Sequence, residues 1–276
     1  MFVPIKEATA LIKVMAFFFT WAGFWLPIAI PLAIVLKWHP QKPMSVAQKL
    51  PLMASLYLIA PLIVWGAAGI ENVPFSHYGL AWEPSVFVHL GLGFGLGVFS
   101  LAILYGLQWA LGWICWQPAD ISKLASALLP TLLLGLWVGG TEELIFRGFL
   151  LNQLLQDYSI WVAAAISSVI FAILHLVWEV RETLPQLPGL WLLGMVLVLA
   201  RACDGGSLGL AWGLHAGWIW AIASLDTAEL ISYTGTVPAW ITGLGQKPLA
   251  GGVGILLLLA TSSLLWLLLS AEWASG

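Results

Sequence analysis

The sequence has very few charged side chains. Only 8% of its 276 residues are charged, while 61% are hydrophobic; a soluble globular chain carries about 25% charged residues. This composition excludes an ordinary soluble domain and indicates a polytopic membrane protein. The formal net charge is −3 and no basic run is present, so we expect membrane lipid, and not nucleic acid, around this protein.

Cysteine is also scarce. Cys115 and Cys203 lie in or beside apolar segments, where a free cysteine is commonly a small packing residue. We therefore expect neither a disulfide nor a cysteine-based metal site. The sequence also shows no internal repeat, no low-complexity tract and no polar stretch of domain length, so we predict a single transmembrane domain over residues 1–276.

Long hydrophobic runs are what the sequence has instead. About eight of them are long enough to cross a bilayer as helices, which predicts an all-α fold. The first run, 14–36, is too long for the apolar part of a cleavable signal. No Arg- and Ser-rich transit segment is visible, and we expect a multi-pass protein of a bacterial inner membrane or an equivalent internal membrane. The other predicted spans are about 50–70, 86–116, 124 through the Glu142 region, 159–178, 187–200, 207–225 and 249–271.

Three ionisable residues interrupt the fourth span. Glu142, Glu143 and Arg147 stand in the otherwise apolar segment LLLGLWVGGTEELIFRGFLL. A charged side chain in hydrocarbon is costly unless it is paired or hydrated, so these side chains should face an interior cavity. Glu143 and Arg147 are four residues apart with the glutamate first, which favours an ion pair on a helix. Glu142 points about 100° away from Glu143 and needs a partner from another helix.

His175 is the expected partner of Glu142. The polar segment NQLLQDYS predicts a turn that joins the fourth and fifth spans into an antiparallel hairpin. Glu142 and His175 stand at almost equal chain distances from this turn, and at 1.5 Å per residue both lie about 25 Å from its tip. The carboxylate and the imidazole can therefore face each other. Phe171 lies one turn before His175 on the same helix face and should fix its ring.

A second histidine, His215, lies a short way into the seventh span, at a depth compatible with the same layer. Small residues around it in GLAWGLHAGW, and Gly139 and Gly140 beside Glu142, allow close helix approach. A glutamate and a histidine beside a trapped water make a general-base pair, and a further histidine can donate a hydrogen bond to a developing oxyanion. The predicted reaction is hydrolysis of an acyl bond, most naturally a peptide bond, inside the membrane.

Other interpretations use the same residues. Glu142, His175 and His215 also form a ligand set of the kind that binds catalytic zinc. A proton-coupled transporter would likewise place glutamate and histidine in mid-membrane, but it would normally show repeat symmetry, which this sequence lacks. A non-enzymatic membrane protein that stabilises or escorts another integral protein is the third class.

The motifs resemble those of the CPBP intramembrane proteases, the family of the type II CAAX prenyl endopeptidases and the bacterial Abi proteins. They are EExxxR from Glu142 to Arg147, FxxxH from Phe171 to His175, and a histidine in a later span, His215. The resemblance covers about 124–225, which would be the catalytic core. It implies an all-helical endopeptidase that cuts a peptide or membrane-protein substrate.

The resemblance also implies a role for each motif residue. Glu142 would activate water with His175, Glu143 and Arg147 would form a structural ion pair, and His215 would help to form the oxyanion hole. The mechanism it favours needs no metal or other cofactor, and the alternative is a zinc protease with Glu142, His175 and His215 as ligands.

One position departs from the family pattern. The family usually has an asparagine four residues after the last histidine, where it supplies an oxyanion donor, and this chain has Ile219 there. Trp218 or Trp212 would then offer an indole N–H in its place. Alternatively, the chain is a catalytically weak or inactive member that serves as a membrane scaffold.

Overall fold

A computed structural model describes residues 7–39, 44–118 and 120–275. This part of the chain is almost wholly helical, and its strands are two segments of three residues, Ile114–Trp116 (β1) and Ile231–Tyr233 (β2). The predicted all-α fold is confirmed. Seven helical segments of the described residues are long and apolar enough to cross a membrane, close to the eight spans expected, and the chain is an integral multi-pass membrane protein.

The helices follow the predicted spans closely. Their bounds are α1 (Ala10–Val35), α2 (Val46–Glu71), α3 (Pro84–Ala110), α4 (Ile121–Glu143), α5 (Leu151–Leu154), α6 (Ile160–Leu174), α7 (Val180–Thr183), α8 (Leu187–Cys203), α9 (Gly209–Thr227), α10 (Ala239–Thr242) and α11 (Gly252–Ser275). Helix α9 corresponds to the seventh predicted span but is not among the seven membrane-spanning candidates. Tryptophan, histidine and aspartate lower its hydropathy, in keeping with its place inside the bundle.

The third predicted span, 86–116, is too long. Helix α3 ends at Ala110, and Gly112 has a φ of 71°, a left-handed conformation that glycine adopts without steric cost. The chain turns there and forms β1, which pairs antiparallel with β2 so that Cys115 lies opposite Ser232. The residues after Ala110 therefore lead from α3 to α4, and on the way they pair with the segment that follows α9 in a two-stranded sheet. Cys115 and Cys203 are not disulfide-bonded.

The hairpin predicted between the fourth and fifth spans is present. Helix α4 continues into a π-helix, Leu144–Leu150, and into α5 before the chain reverses and α6 begins at Ile160. The tip of the hairpin is fastened to α1, because Asp157 accepts a hydrogen bond of 2.6 Å from the backbone N–H of Ala10. π-Helical turns are rare and are found often at functional sites, and this one begins directly after Glu143.

Helix α9 packs closely against α3. A Cβ atom added to Gly93 would lie 2.2 Å from the carbonyl oxygen of Leu210, and one added to Gly213 would lie 2.0 Å from that of Leu90. Both distances are far shorter than a van der Waals contact, so glycine at these positions permits the two backbones to approach. The approach places His215, two residues after Gly213, inside the bundle.

Candidate active site

Glu142 lies in the last turn of α4 and faces the interior of the bundle, where it is 5% exposed. Its Oε1 accepts a hydrogen bond from the hydroxyl of Tyr57 in α2. Its Oε2 lies 3.6 Å from Nε2 of His215 in α9. Glu142 was expected to have a partner on another helix, and it has one on each of two helices: Tyr57 in α2 and His215 in α9.

Glu143 lies in the same turn and has no exposed surface. Its Oε1 accepts a hydrogen bond of 2.9 Å from Nη1 of Arg147 and one of 2.8 Å from Nδ1 of His215. The first contact is the ion pair that the four-residue spacing predicts. The second was not predicted, and it means that Glu143 orients a histidine of the site in addition to neutralising the arginine.

Arg147 is completely buried, which is costly for a cation unless its surroundings compensate. Besides Glu143, it has a hydrogen-bond acceptor in the carbonyl of Gly194, 3.2 Å from Nη2. Its guanidinium carbon lies 4.5 Å from the centroid of the Phe171 ring, a distance at which cation and ring attract. Nη1 of Arg201 donates to the backbone carbonyl of Arg147. These contacts tie the π-helix to α6 and α8, so the ion pair holds together the helices that carry the site.

His175 directly follows α6, at the start of a 3-10 turn. Its Nδ1 lies 2.8 Å from the backbone carbonyl oxygen of Phe171. A carbonyl can only accept, so Nδ1 carries the proton and Nε2 of the neutral ring keeps a free lone pair. The Phe171 ring packs edge-on against the imidazole, with 4.6 Å between centroids. Phe171 therefore fixes this histidine through its backbone and its side chain, as the spacing predicts.

Glu142 and His175 line one cavity of about 80 Å³. A water molecule occupies about 30 Å³ in the liquid, so the cavity has room for a few waters. Tyr57 also lines it, whereas His215 does not and reaches it only through Glu142. The remaining wall is apolar or aromatic: Trp21, Leu56, Ile145, Phe146, Leu174, Val177 and Trp178.

Tyr57 was not predicted to belong to the site. It lies midway along α2, is 8% exposed, and is 85 residues from Glu142 in the chain. A signal for it was present, because it is the one tyrosine in an otherwise apolar span and a buried phenol hydroxyl usually finds a partner. The sequence does not say which polar residue that partner is.

The expectation that a tryptophan replaces the missing asparagine is wrong for this arrangement. The indole N–H of Trp218 donates to Ser100 Oγ at 2.9 Å, and that of Trp212 donates to the Leu136 carbonyl at 2.7 Å. Neither residue lines the cavity. The two indole groups thus join α9 to α3 and α4, and Trp218 supports the packing of α9 without reaching the reaction site.

A zinc site built from Glu142, His175 and His215 does not fit the side chains as they stand. Within residues 7–39, 44–118 and 120–275, no three His, Cys, Asp or Glu side chains are grouped so that they could hold a metal ion. One oxygen of Glu142 is already bound by Tyr57, and His215 is held by Glu143. No step is therefore assigned to a metal, and the metal-free mechanism stays a prediction.

The fold and the site together define a polytopic membrane protein with a carboxylate–imidazole site buried among its helices. The family model described as type II CAAX prenyl endopeptidase Rce1-like matches residues 124–221. This segment contains Glu142, His175 and His215, so the resemblance to this family that was drawn from the motifs is confirmed over these residues. No curated protein and no solved structure matches the chain.

Proposed function

We propose that the chain is an intramembrane endopeptidase, similar to the CAAX proteases, in which Glu142 and His175 activate a water molecule. The observation that carries this proposal is the shared cavity, which is lined by both a carboxylate and an imidazole inside a helix bundle. The match to a protease family over the same residues supports the reaction class.

The two side chains have complementary parts in this reaction. A water between them donates one hydrogen bond to the Glu142 carboxylate and the other to Nε2 of His175, which leaves an oxygen lone pair directed at the substrate carbonyl. As the water oxygen bonds to the carbonyl carbon, its proton passes to Glu142. Glu142 then gives this proton to the leaving amide nitrogen, the C–N bond breaks, and the products are a carboxylic acid and an amine.

Glu143, Arg147 and His215 support this reaction from behind Glu142. The buried ion pair fixes the π-helix, and Glu143 holds Nδ1 of His215 so that its Nε2 faces Glu142 Oε2. His215 Nε2 therefore lies beside the Glu142 carboxylate, where the imidazolium form of the ring would stabilise the negative charge. Its part in an oxyanion hole, which the family resemblance implies, remains a prediction, because its ring nitrogens both face carboxylates.

The depth of the cavity restricts the substrate. Its walls come from helices α1, α2, α4 and α6, from the π-helix and from the turn after α6, and most of the lining residues are apolar. We infer that the scissile bond belongs to a peptide or membrane protein that enters from the bilayer. The host membrane in this proposal is a bacterial inner membrane or an equivalent internal membrane.

Cleavage by the purified protein, reconstituted into lipid vesicles, tests the proposal. A library of hydrophobic peptides in water enriched with oxygen-18 identifies the cut bond by mass spectrometry, because hydrolysis puts one labelled oxygen into the new carboxyl group. We expect Glu142→Gln to abolish labelled product. Glu71→Gln is the matched control, since Glu71 is a half-buried carboxylate at the far end of α2 that accepts hydrogen bonds from Tyr78 and Gln153 and pairs with Lys13.

Equal cleavage by wild type and Glu142→Gln would remove the catalytic proposal. If neither protein cleaves any peptide and both have the same effect in cells, the chain acts as a membrane scaffold. In that case wild type and Glu142→Gln should capture the same partner protein.

A further inference from the structure

Tyr57 contributes the only hydroxyl group among the cavity-lining residues of the described chain. Its hydroxyl donates to Oε1 of Glu142, the carboxylate that receives the water proton in the proposed mechanism. Its ring stands edge-on to that of Trp137 in α4, with 6.2 Å between centroids, so the phenol is held from the side. A buried phenol hydroxyl usually has a hydrogen-bond partner, and here that partner is the Glu142 carboxylate.

The hydrogen bond from Tyr57 is the main contact that stabilises the negative charge of Glu142. Arg147, the arginine that follows Glu142 most closely in the sequence, donates to Glu143 and not to Glu142. Nε2 of His215 lies 3.6 Å from Oε2 of Glu142, which is too long for a hydrogen bond. His175 lines the same cavity as Glu142, but its Nδ1 proton is directed at the Phe171 carbonyl. Tyr57 is thus the donor in direct contact with the Glu142 carboxylate, and a hydrogen bond to an ionised acceptor is roughly twice as strong as a neutral one.

The reaction moves negative charge away from Glu142. When the carboxylate takes up the water proton, the electron pair of the carbonyl double bond shifts onto the substrate oxygen, and the charge now resides there. A donor that has lost its charged acceptor, and that lines the same cavity as the new oxyanion, is attracted to the new charge. Such a donor is valuable, because loss of one oxyanion donor costs about 10²–10³ in kcat in known hydrolases.

Two other polar hydrogens of the cavity-lining residues are bound to backbone carbonyls. The indole N–H of Trp21 donates to the Leu56 carbonyl at 3.0 Å, and Nδ1 of His175 donates to Phe171. The hydroxyl of Tyr57 differs from these because its acceptor is the one group whose charge disappears during the reaction.

We propose that Tyr57 is a catalytic residue of this site, whose hydroxyl holds the Glu142 carboxylate before attack and donates to the substrate oxyanion after the proton has reached Glu142. Tyr57 keeps its own proton throughout, so the step needs no further acid or base. The assignment rests on the proposed peptidase function and names the donor that this function otherwise lacks.

The variant Tyr57→Phe removes the hydroxyl and keeps the ring. We expect kcat to fall by about 10²–10³ while KM stays nearly constant, because the hydroxyl acts in the transition state and not in substrate binding. Tyr105→Phe is the matched control, since Tyr105 is also a buried tyrosine of a long helix, 5% exposed, and lies outside the cavity. It should keep full activity. An unchanged kcat in Tyr57→Phe would overturn the proposal.

Binding of a tetrahedral analogue separates catalysis from packing. A peptide phosphinate carries a negative oxygen where the oxyanion forms, and Tyr57→Phe should weaken its binding far more than that of the matching uncleaved peptide amide. An equal loss for both ligands would mean that Tyr57 only shapes the cavity. If Tyr57→Phe does not fold, 3,5-difluorotyrosine at position 57 keeps the ring and the hydroxyl but changes its acidity; kcat should then change, and an unchanged kcat overturns the role.

An infrared measurement needs no substrate and distinguishes the two proposals. The carboxylate band of Glu142 is the one lost in Glu142→Gln, and it should shift in frequency in Tyr57→Phe; an unshifted band contradicts the contact. Full activity in Glu142→Gln would refute the peptidase mechanism itself. Loss of activity in Glu142→Gln together with full activity in Tyr57→Phe would refute only the role of Tyr57.

Discussion

Glu143 and His215 are joined by a hydrogen bond of 2.8 Å between Oε1 and Nδ1, and this bond divides the roles of the two adjacent glutamates. Glu143 is fully buried and has two cationic or donating neighbours, Arg147 and His215. Oε2 of Glu142 lies 3.6 Å from Nε2, the other nitrogen of the same imidazole. The Glu142 carboxylate also lines the cavity. Glu143 thus holds Arg147 and His215 in place, and Glu142 is available to react with water in the cavity.

Removal of the Glu143 charge should destabilise the protein and inactivate it. Glu143→Gln leaves the guanidinium of Arg147 buried without a counter-ion, and breaking a buried ion pair in this way costs about 3–5 kcal/mol. Thermal unfolding in mild detergent measures the loss. Unfolding at the wild-type temperature would show that Arg147 does not depend on Glu143.

A double variant separates the two functions of Glu143. Glu143→Gln combined with Arg147→Met removes both charges, so we expect much of the lost stability to return, as it often does when a buried ion pair is replaced by apolar groups. Activity should not return with it, because His215 still lacks the carboxylate that orients its ring. Recovery of activity along with stability would mean that Glu143 serves only as the partner of Arg147.

His175→Ala should lower kcat without affecting folding. The imidazole is half-buried and directly follows α6, so its loss removes little packing. It also removes the acceptor that orients the attacking water for Glu142, and loss of a group that takes part in general acid–base catalysis commonly costs about 10²–10⁴ in rate. The comparison is with His77→Ala, an exposed histidine of the Phe75–Tyr78 turn, which should leave kcat unchanged. Similar kcat values in the two variants would exclude His175 from the chemistry.

Two glycines of α3 provide a matched test of how α9 is held. A Cβ atom at Gly93 would lie 2.2 Å from the Leu210 carbonyl oxygen, whereas one at Gly95, on another face of the same helix, meets nothing within 4 Å. We therefore expect Gly93→Ala to push α9 away, lowering both the unfolding temperature and the activity that depends on His215. Gly95→Ala should leave both as in wild type. Equal behaviour of the two variants would show that the α3–α9 approach is not as close as the structure has it.

Much of this architecture could be predicted from local rules. Apolar runs of sufficient length give the spanning helices, and the polar segment around Asp157 gives the turn that brings Glu142 and His175 to one depth, because helix rise is constant. The four-residue spacing of Glu143 and Arg147 predicts their ion pair for the same reason. The inferences on Glu142, His175, Glu143 and Arg147 use only distances along one hairpin.

The contacts that could not be predicted join distant helices. Tyr57 meets Glu142, and His215 meets Glu143, through the way α2 and α9 pack around α4, and no spacing within one helix encodes this. The third span was overestimated because 111–116 is apolar enough to continue a helix, yet the chain turns after Ala110 and 114–116 pairs as a strand with β2. Trp218 was misassigned because its nearness to His215 in sequence does not reveal that its N–H is used by Ser100.

Metal removal provides the last test, because the side chains that would bind zinc are engaged with each other. Tyr57 occupies Oε1 of Glu142 and Glu143 occupies Nδ1 of His215, so a zinc ion would have to bind through Glu142 Oε2 and the two Nε2 atoms alone. We expect dialysis against a strong zinc chelator to leave kcat unchanged, and added zinc to leave Glu142→Gln inactive. The metal content of the dialysed protein, measured by plasma mass spectrometry, confirms that chelation was complete. Loss of activity in step with one zinc per chain, and its return when zinc is restored, would replace the glutamate mechanism with a metalloprotease one.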